Sequence, residues 1–331
     1  MNILVFEYTT GGGMQGHPLP YSLAREGEMM LQAVVKDFLQ LPGLRISTLR
    51  DRRIGNSVPG TNTVFVEHTE HYMQRLEELV QDMDALLVIA PENDGILLSI
   101  CERFSSHRPV LFNCEAETIK LTSNKYSTYQ YLQTQGVPLI PTCLAEDSRY
   151  LEGEQFVMKP VDGVGCDRIS LFRNKSELQV ASVRADQSHF IAQPYVKGIH
   201  ASLSLLCLHG ECLIMSCNQQ HVSETNGRLQ WLKCNVNAFE RDRFIPFATR
   251  LARTLPGLQG YVGVDIVISN EKILLVEINP RLTTSYVGLS AALHVNPAEL
   301  ILKCFREEIL PDAIPVSATA VMVDLEVNAV V

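Results

Sequence analysis

The 331-residue sequence contains no apolar run close to the roughly 18 residues that a membrane-spanning helix requires. Its start lacks a basic segment, and the first apolar stretch ends at Glu7, so a signal peptide is not indicated. A surplus of basic residues is also missing, because the formal net charge is −9, and this disfavours nucleic-acid binding. These absences predict a cytoplasmic protein that binds neither membrane nor nucleic acid.

Paired cysteine motifs are missing too. The nine cysteines include no CxxC, and Cys207, Cys212 and Cys217 follow at intervals of five, which is not a metal-ligand spacing. We therefore expect reduced, mostly buried thiols. Hydrophobic residues make up 46% and charged residues 20%, which is enough apolar material for a large folded core. The length corresponds to roughly two to three compact units.

The first third of the chain alternates between two kinds of pattern. Four short apolar runs read as strands, at residues 3–6, 44–49, 85–90 and 109–112. Residues 21–40 place apolar side chains at helical spacing on one face. Strand–helix alternation of this kind predicts a parallel sheet that is covered by helices.

Beyond residue 113 the pattern changes. Ser123 is a candidate N-cap for a helix that ends at about Gln135. Further on, the chain reads mainly as paired strands, at 155–159, 168–172, 201–208, 212–220, 262–279 and 318–325. A helix is expected over 241–255. The whole chain therefore combines a parallel α/β part with an antiparallel α+β part.

The strongest chemical signal is a pair of carboxylates on a candidate β-hairpin. Glu277 and Asn279 are two residues apart, so they share one face of a strand. With a three-residue turn over Asn270–Lys272, Asp265 lies directly opposite Glu277. Facing carboxylates among Val and Ile repel unless a cation compensates them, and Mg²⁺ prefers such oxygen ligands. We expect a Mg²⁺ site; a slipped register or an acid–base pair is the alternative.

Two lysines are candidate phosphate ligands. Lys159 ends an apolar strand and precedes a loop with Gly163 and Gly165, where backbone N–H groups can approach an anion closely. No Gly-Lys-Ser/Thr follows, so this is not a P-loop, and a structural turn with a surface lysine is the alternative. Lys125 lies in the first turn of a predicted helix, where the dipole disfavours a cation. It either reaches a ligand or is solvated.

A glycine-rich loop follows the first predicted strand. Gly11, Gly13 and Gly16 fit the spacing G-x-G-x-x-G of dinucleotide-binding proteins. The acid expected about 20 residues later falls inside the predicted helix rather than at the end of a second strand. We therefore expect a substrate-facing loop rather than a dinucleotide site.

Taken together, these residues resemble the ATP-grasp superfamily, over about residues 113–290. The resemblance implies an ATP-grasp fold with an N-terminal α/β parallel-sheet pre-ATP-grasp domain at 1–115. A small lid domain at 116–195 and a C-terminal antiparallel-sheet domain at 196–331 would follow. ATP and Mg²⁺ are the implied cofactors, with Mn²⁺ as an alternative ion.

The same resemblance assigns roles to single positions. Lys125 and Lys159 correspond to the family's phosphate-contacting lysines, and the glycine loop corresponds to its phosphate-covering loop. Gln193, Tyr195 and Val196 resemble the hinge that pairs with adenine, although relatives often carry an acid at the first of these positions. The metal triad would be Asp265, Glu277 and Asn279.

Two further positions complete this assignment. His200 stands where relatives often place an acid for the ribose, so it is a candidate nucleotide contact of a different chemical kind. Arg281 ends the characteristic Glu-x-Asn-Pro-Arg run, and the resemblance implies that it neutralises an acyl phosphate or holds the substrate carboxylate. Arg281 and Lys159 are thus the candidate catalytic residues.

Within the superfamily, residues 5–13 and 218–220 are similar to those of the tyramine–glutamate ligases of methanofuran biosynthesis. This implies an amide bond between a carboxylate such as L-glutamate and an amine such as tyramine or a tyrosine-like compound. An acyl phosphate would be the intermediate, in the biosynthesis of a methanofuran- or methylofuran-type cofactor. Both substrates would be small molecules, and a homodimer is an open option because relatives are often dimers.

Three other functions are compatible with parts of the pattern. An ATP-grasp kinase would stop at phosphoryl transfer, and a regulatory module would bind ATP without turnover. A dinucleotide-dependent dehydrogenase would use the early glycine loop. The full set of lysines, acids and arginine favours the ligase, because a sensor needs neither every metal ligand nor the arginine.

Overall fold

The computed structural model describes residues 1–67, 70–105, 109–163, 168–184, 189–225, 227–311, 313–314 and 319–324. Its helices are α1 Tyr21–Leu39, α2 Tyr72–Val80, α3 Ile96–Phe104, α4 Ala116–Ser123, α5 Lys125–Thr134, α6 Lys175–Arg184, α7 Ile245–Thr254, α8 Leu289–Leu293 and α9 Pro297–Arg306. No helix in these residues is long and apolar enough to cross a membrane.

The strands form two sheets. The first contains β1 Asn2–Glu7, β2 Arg45–Asp51, β3 Asn62–Val66, β4 Ala85–Ile89 and β5 Val110–Leu111. The second contains β6 Cys143–Leu144, β7 Phe156–Pro160, β8 Ser170–Phe172, β9 Phe190–Pro194, β10 Ile199–Leu208, β11 Glu211–Thr225, β12 Arg228–Phe239, β13 Gly260–Ser269, β14 Lys272–Asn279 and β15 Val321–Asp324.

The first sheet is parallel throughout, with strand order β3-β2-β1-β4-β5. Alternate side chains of β1 enter opposite cores: Ile3 packs on the side of α1, and Leu4 packs on the other side. The strand order reverses between β1 and β4, and ligands of such sheets bind beyond the carboxyl ends at this point. The predicted parallel α/β unit is confirmed, and β3 is an edge strand that the sequence pattern did not reveal.

The second sheet is continuous across the predicted lid domain and the predicted C-terminal domain. Its order is β14-β13-β10-β11-β12-β8-β7-β9-β6, and β15 pairs with β12. Within the described residues, β12 and β8 are joined by the pairing of Arg228 with Ser170, so this junction is narrow. The small unit formed by β6–β9 and α6 has its own core around Phe156, Leu178 and Ala192. The division at residues 115 and 195 stays a prediction.

Several local expectations need correction. Ser123 is not the N-cap of α5: its hydroxyl donates to the Ile119 carbonyl and it is the last residue of α4. Asn124 caps α5 instead, because its side chain accepts from the N–H groups of the second and third helical residues. The predicted helix at 241–255 begins as a 3₁₀ turn before α7. The late strand covers β15, and residues 318 and 325 lie outside the described ranges.

Candidate active site

A cleft of about 410 Å³ lies where α1, the small unit and the β13–β14 hairpin meet. It is lined by the described candidate nucleotide, metal and catalytic residues: Lys125, Lys159, Gly163, Gln193, Tyr195, Val196, His200, Asp265, Glu277, Asn279 and Arg281. Gly165 lies outside the described residues. The fold therefore brings together residues that are up to 156 positions apart, from Lys125 to Arg281.

The carboxylates face each other, although not by the expected turn. The hairpin turn contains two residues, Asn270 and Glu271, both with positive φ, and Ser269 pairs with Lys272. This register alone would not place Asp265 opposite Glu277. A β-bulge between positions 265 and 266 shifts the ladder by one residue and restores that pairing. The slipped-register alternative is therefore wrong, and the three-residue turn is also wrong.

The two facing carboxylates have different environments. Burial, and then the neighbouring charge of Glu277, raises the pKa of Asp265 to about 7. Gln220 Nε2 donates to Asp265 at 2.7 Å and Asn279 Nδ2 donates at 3.1 Å. Although burial acts to raise the pKa of Glu277, Lys125 and then Lys159 lower it below its usual value. Glu277 is thus ionised at neutral pH, whereas Asp265 exchanges its proton in the neutral range.

Both lysines point at Glu277. Lys125 Nζ is 3.4 Å and Lys159 Nζ is 3.8 Å from Glu277 Oε2. Lys125 also donates to the carbonyl of Gly163, at the start of the glycine loop. The Lys159 side chain is only 5% exposed, so it is not a solvated surface lysine. Two ammonium groups therefore lie beside one carboxylate at the start of the glycine loop, an arrangement that suits the binding of an anion such as phosphate.

The donor set fits a magnesium ion. No group of three or more His, Cys, Asp or Glu side chains in the described part of the chain could hold a metal ion by itself. Asp265 and Glu277 supply two carboxylates on adjacent strands, and Asn279 adds an amide oxygen two positions along. Mg²⁺ typically takes one or two carboxylates and completes its shell with waters and phosphate oxygens. A like-charge pair at this depth is otherwise unfavourable.

The predicted adenine hinge lies along β9. Gln193 is buried and its Nε2 donates to Thr142 Oγ1 at 2.8 Å. Tyr195 N–H donates to the Gln155 carbonyl at 2.8 Å, so the backbone of Tyr195 is engaged within the protein. The Tyr195 ring lies 6.5 Å from the ring of His200. Burial lowers the pKa of His200, so its imidazole is neutral and can bond hydroxyl groups.

Arg281 is held from the parallel-sheet unit. Its Nε lies 3.0 Å from Glu92 Oε1, and its Nη2 donates to Glu92 Oε2 at 3.0 Å. Glu92 follows β4, at the carboxyl edge where the strand order reverses. One hydrogen bond and a second ion-pair contact therefore hold the guanidinium across two units of the fold. Sequence reasoning missed Glu92, because it is 189 positions from its partner.

The early glycine loop does not line the cleft. Thr9–Gly13 form a π-helical turn whose start is held by the buried Glu7 carboxylate, which accepts from Thr9 and Thr10. A Cβ at Gly11 would lie 2.5 Å from the Phe6 ring, so this glycine permits close packing. The substrate-facing role of this loop stays a prediction, and Gly11 itself is required for packing within the parallel-sheet unit.

Comparison with known families agrees with this arrangement. Residues 122–285 match the ATP-grasp domain and residues 44–119 match the pre ATP-grasp 3 domain. The chain therefore belongs to the ATP-grasp superfamily and is an enzyme of its carboxylate–amine ligase type.

Individual relatives extend over nearly the whole chain. A tyramine–L-glutamate ligase of Methanocaldococcus jannaschii is 27% identical over 92% of this chain and 90% of its own length. One of Methanocaldococcus fervens is 25% identical over 92% of this chain and 94% of its own. The crystal structure of a protein assigned to the ATP-grasp superfamily from Archaeoglobus fulgidus superposes with a TM-score of 0.73, at 24% identity, covering 98% of this chain and 99% of that one.

Proposed function

We propose that the enzyme joins the carboxylate of L-glutamate to an amine such as tyramine or a tyrosine-like compound, with hydrolysis of ATP to ADP and phosphate. The pathway would be the biosynthesis of a methanofuran- or methylofuran-type cofactor. The activity is carried by one observation: two buried lysines, two facing carboxylates and an arginine converge in one cleft. The choice of substrates is supported by the two ligases that match along almost the whole chain.

Lys125, Lys159 and the loop that begins at Gly163 are proposed to hold the ATP phosphates. The lysine ammonium groups would balance the charge that develops during phosphoryl transfer, so catalysis is mainly positioning and electrostatics. Asp265, Glu277 and Asn279 are proposed to hold Mg²⁺, which supplies charge screening of the phosphates when bound. Arg281 would hold the substrate carboxylate.

The proposed reaction has two balanced steps. A carboxylate oxygen of glutamate attacks the γ-phosphorus and ADP leaves, which gives an acyl phosphate. The amine nitrogen then attacks the acyl carbon, phosphate leaves and the nitrogen loses a proton. Water would hydrolyse the acyl phosphate, so the small unit of β6–β9 and α6 is proposed to close over the cleft first. Its separate core allows it to move as one body.

The nucleotide base is proposed to lie along β9. The walls there are apolar and include Ile140, Val157 and Val267, which suits a flat aromatic ring. Gln193 pairs with Val157 in the β7–β9 ladder and Tyr195 N–H is engaged by Gln155, so the backbone of Val196 is the proposed adenine contact. The neutral His200 imidazole is the proposed ribose contact.

The test is ADP release from Mg·ATP and L-glutamate with a panel of amines that includes tyramine and tyrosine. We expect ADP release that requires the amine and is abolished in Glu277→Ala, while the matched surface change Glu102→Gln has no effect. ADP release that is independent of the amine would replace the ligase with a kinase. Tight Mg·ATP binding without turnover for any pair would favour the regulatory module.

A further inference from the structure

Helix α1 contributes an acidic side chain to the cleft that the proposed chemistry does not use. Ser22, Leu23 and Glu26 line the cleft, and their spacing places them on one face of the first turns of α1. This face belongs to the parallel-sheet unit, opposite the loop that follows Arg281. A carboxylate on α1 therefore lies on a different unit of the fold from the hinge strand β9.

Glu26 has a fixed position. Its Oε1 accepts a hydrogen bond from the Thr284 hydroxyl, across 258 positions of sequence. Thr284 is itself buried, with 8% of its surface exposed, so the hydroxyl is not a mobile surface group. Among the described residues, Glu26 forms no ion pair within 4.0 Å. The carboxylate is thus oriented by a neutral donor.

A fixed negative charge is costly in this cleft unless a ligand uses it. Both proposed substrates of the first step, the ATP phosphates and a carboxylate, are anions that Glu26 repels. A hydrogen bond to Thr284 alone could be made equally well by a neutral glutamine. A positively charged ligand group removes the repulsion and makes a charge-assisted hydrogen bond with the carboxylate.

Glu26 also has an opposite charge within electrostatic reach. Arg281 lines the same cleft. Burial acts to lower the pKa of Arg281, whereas Glu92 and then Glu26 act to raise it. A cation and an anion that line one cleft match the two charges of an amino-acid zwitterion. We propose that Glu26, oriented by Thr284, forms a subsite for an alkylammonium group of a substrate. This inference rests on the proposed ligase function and deepens it.

The ammonium group has two sources that the experiment separates. The α-ammonium of glutamate is one, and the amine substrate before deprotonation is the other. Hydroxylamine, which is largely uncharged at neutral pH, replaces the amine and traps the acyl phosphate as a hydroxamate. Glutarate, which is glutamate without its ammonium group, replaces the acid. KM values are measured with Mg·ATP for wild type, Glu26→Gln, Thr284→Val and the control Glu102→Gln.

We expect Glu26→Gln to raise the KM for either glutamate or the amine roughly 10- to 100-fold, because a charge-assisted hydrogen bond is lost. A raised KM for glutamate with hydroxylamine, together with a weakened preference for glutamate over glutarate, assigns the α-ammonium. A raised KM for tyramine alone assigns the amine. Thr284→Val should show a smaller effect in the same direction. Unchanged KM values for both substrates, with the glutamate preference retained, would overturn the proposal.

A thermal-shift measurement distinguishes failure of the proposed function from failure of the subsite. Glu26→Gln should keep wild-type Mg·ATP affinity in a thermal-shift titration, which also reports folding. If glutamate supports no ADP release with any amine, the substrate choice fails. The subsite is then measured by thermal shift with amino acids and their des-amino analogues in Mg·ADP. A preference for amino acids that Glu26→Gln removes supports the subsite, and no preference in wild type rejects it.

Discussion

The carboxylate pair provides the sharpest test of the site, because its two members should affect stability in opposite directions. In Asp265→Asn the like-charge repulsion with Glu277 disappears, so we expect the unliganded protein to become more stable. In Glu277→Gln the ammonium groups of Lys125 and Lys159 lose their shared carboxylate, so we expect lower stability. Both variants should nevertheless lose Mg·ATP binding.

The magnitudes follow from the pKa values. Asp265 has a pKa of about 7 against the ordinary value of 3.8. A shift of roughly 3 units sets an upper limit of about 4 kcal/mol. Solvent in the open cleft reduces the expected gain to about 1–2 kcal/mol. Breaking a buried pair costs about 3–5 kcal/mol. Glu277 is 20% exposed, so we expect a loss of about 1–3 kcal/mol.

The size of each stability change also depends on pH. A carboxyl whose pKa is raised in the folded state lowers stability as pH rises from its unfolded value through its folded value. The advantage of Asp265→Asn should therefore be full above about pH 8 and small near about pH 4. Glu277 has a lowered pKa, so its stabilisation is lost only in acid, below its ordinary value of 4.5.

Thermal unfolding without and with Mg·ATP measures both the stability of each variant and its Mg·ATP binding. Each kcal/mol corresponds to a shift of roughly 2 °C in a chain of this size. The matched surface substitution Asp82→Asn should change neither Tm nor Mg·ATP binding. Equal destabilisation by Asp265→Asn and Glu277→Gln would refute the assignment of opposite charge environments. Retained Mg·ATP stabilisation in either variant would refute the metal site.

Three further outcomes are expected. Asp37→Asn should raise stability at about pH 7.5 by roughly 1–3 kcal/mol and lose the advantage near about pH 4, because burial raises the pKa of Asp37 to about 6; chemical denaturation at both pH values checks this. Glu92→Gln should lower kcat roughly 10- to 100-fold at nearly unchanged Mg·ATP affinity, because it releases the Arg281 guanidinium. Steady-state kinetics checks this, and a wild-type kcat would oppose a positioning role for Glu92. Gly11→Ala should lower stability by about 1–3 kcal/mol without weakening nucleotide binding, because its Cβ would meet the Phe6 ring, and a stable variant in urea unfolding would oppose this packing role.

Some parts of the site follow from local sequence. Strand alternation places Glu277 and Asn279 on one face, and an apolar strand that ends in Lys159 forces that lysine toward an anion. These signals need only a few neighbouring residues. The parallel and antiparallel halves follow in the same way from the spacing of apolar runs, and both are present in the structure.

Other parts need the folded chain. The Asp265–Glu277 pairing was expected from a longer turn, but it arises from a shorter turn and a compensating bulge, which no local propensity specifies. Glu92 and Glu26 enter the site from 189 and 258 positions away, and an isolated acid on a helix or loop carries no signal of such contacts. The packing of Gly11 against Phe6 also needs the folded chain, because the sequence does not distinguish a glycine required for close packing from one that faces a ligand.

The enzyme is proposed to activate a carboxylate by phosphorylation in this cleft. The most direct measurement supplies L-glutamate labelled with oxygen-18 in its carboxylates and follows the released phosphate by mass spectrometry, with Mg·ATP and tyramine. An acyl-phosphate route transfers carboxylate oxygen to phosphate, so we predict amine-dependent release of labelled phosphate. Unlabelled phosphate from a reaction that still forms the amide would show that the carboxylate is not activated by phosphorylation.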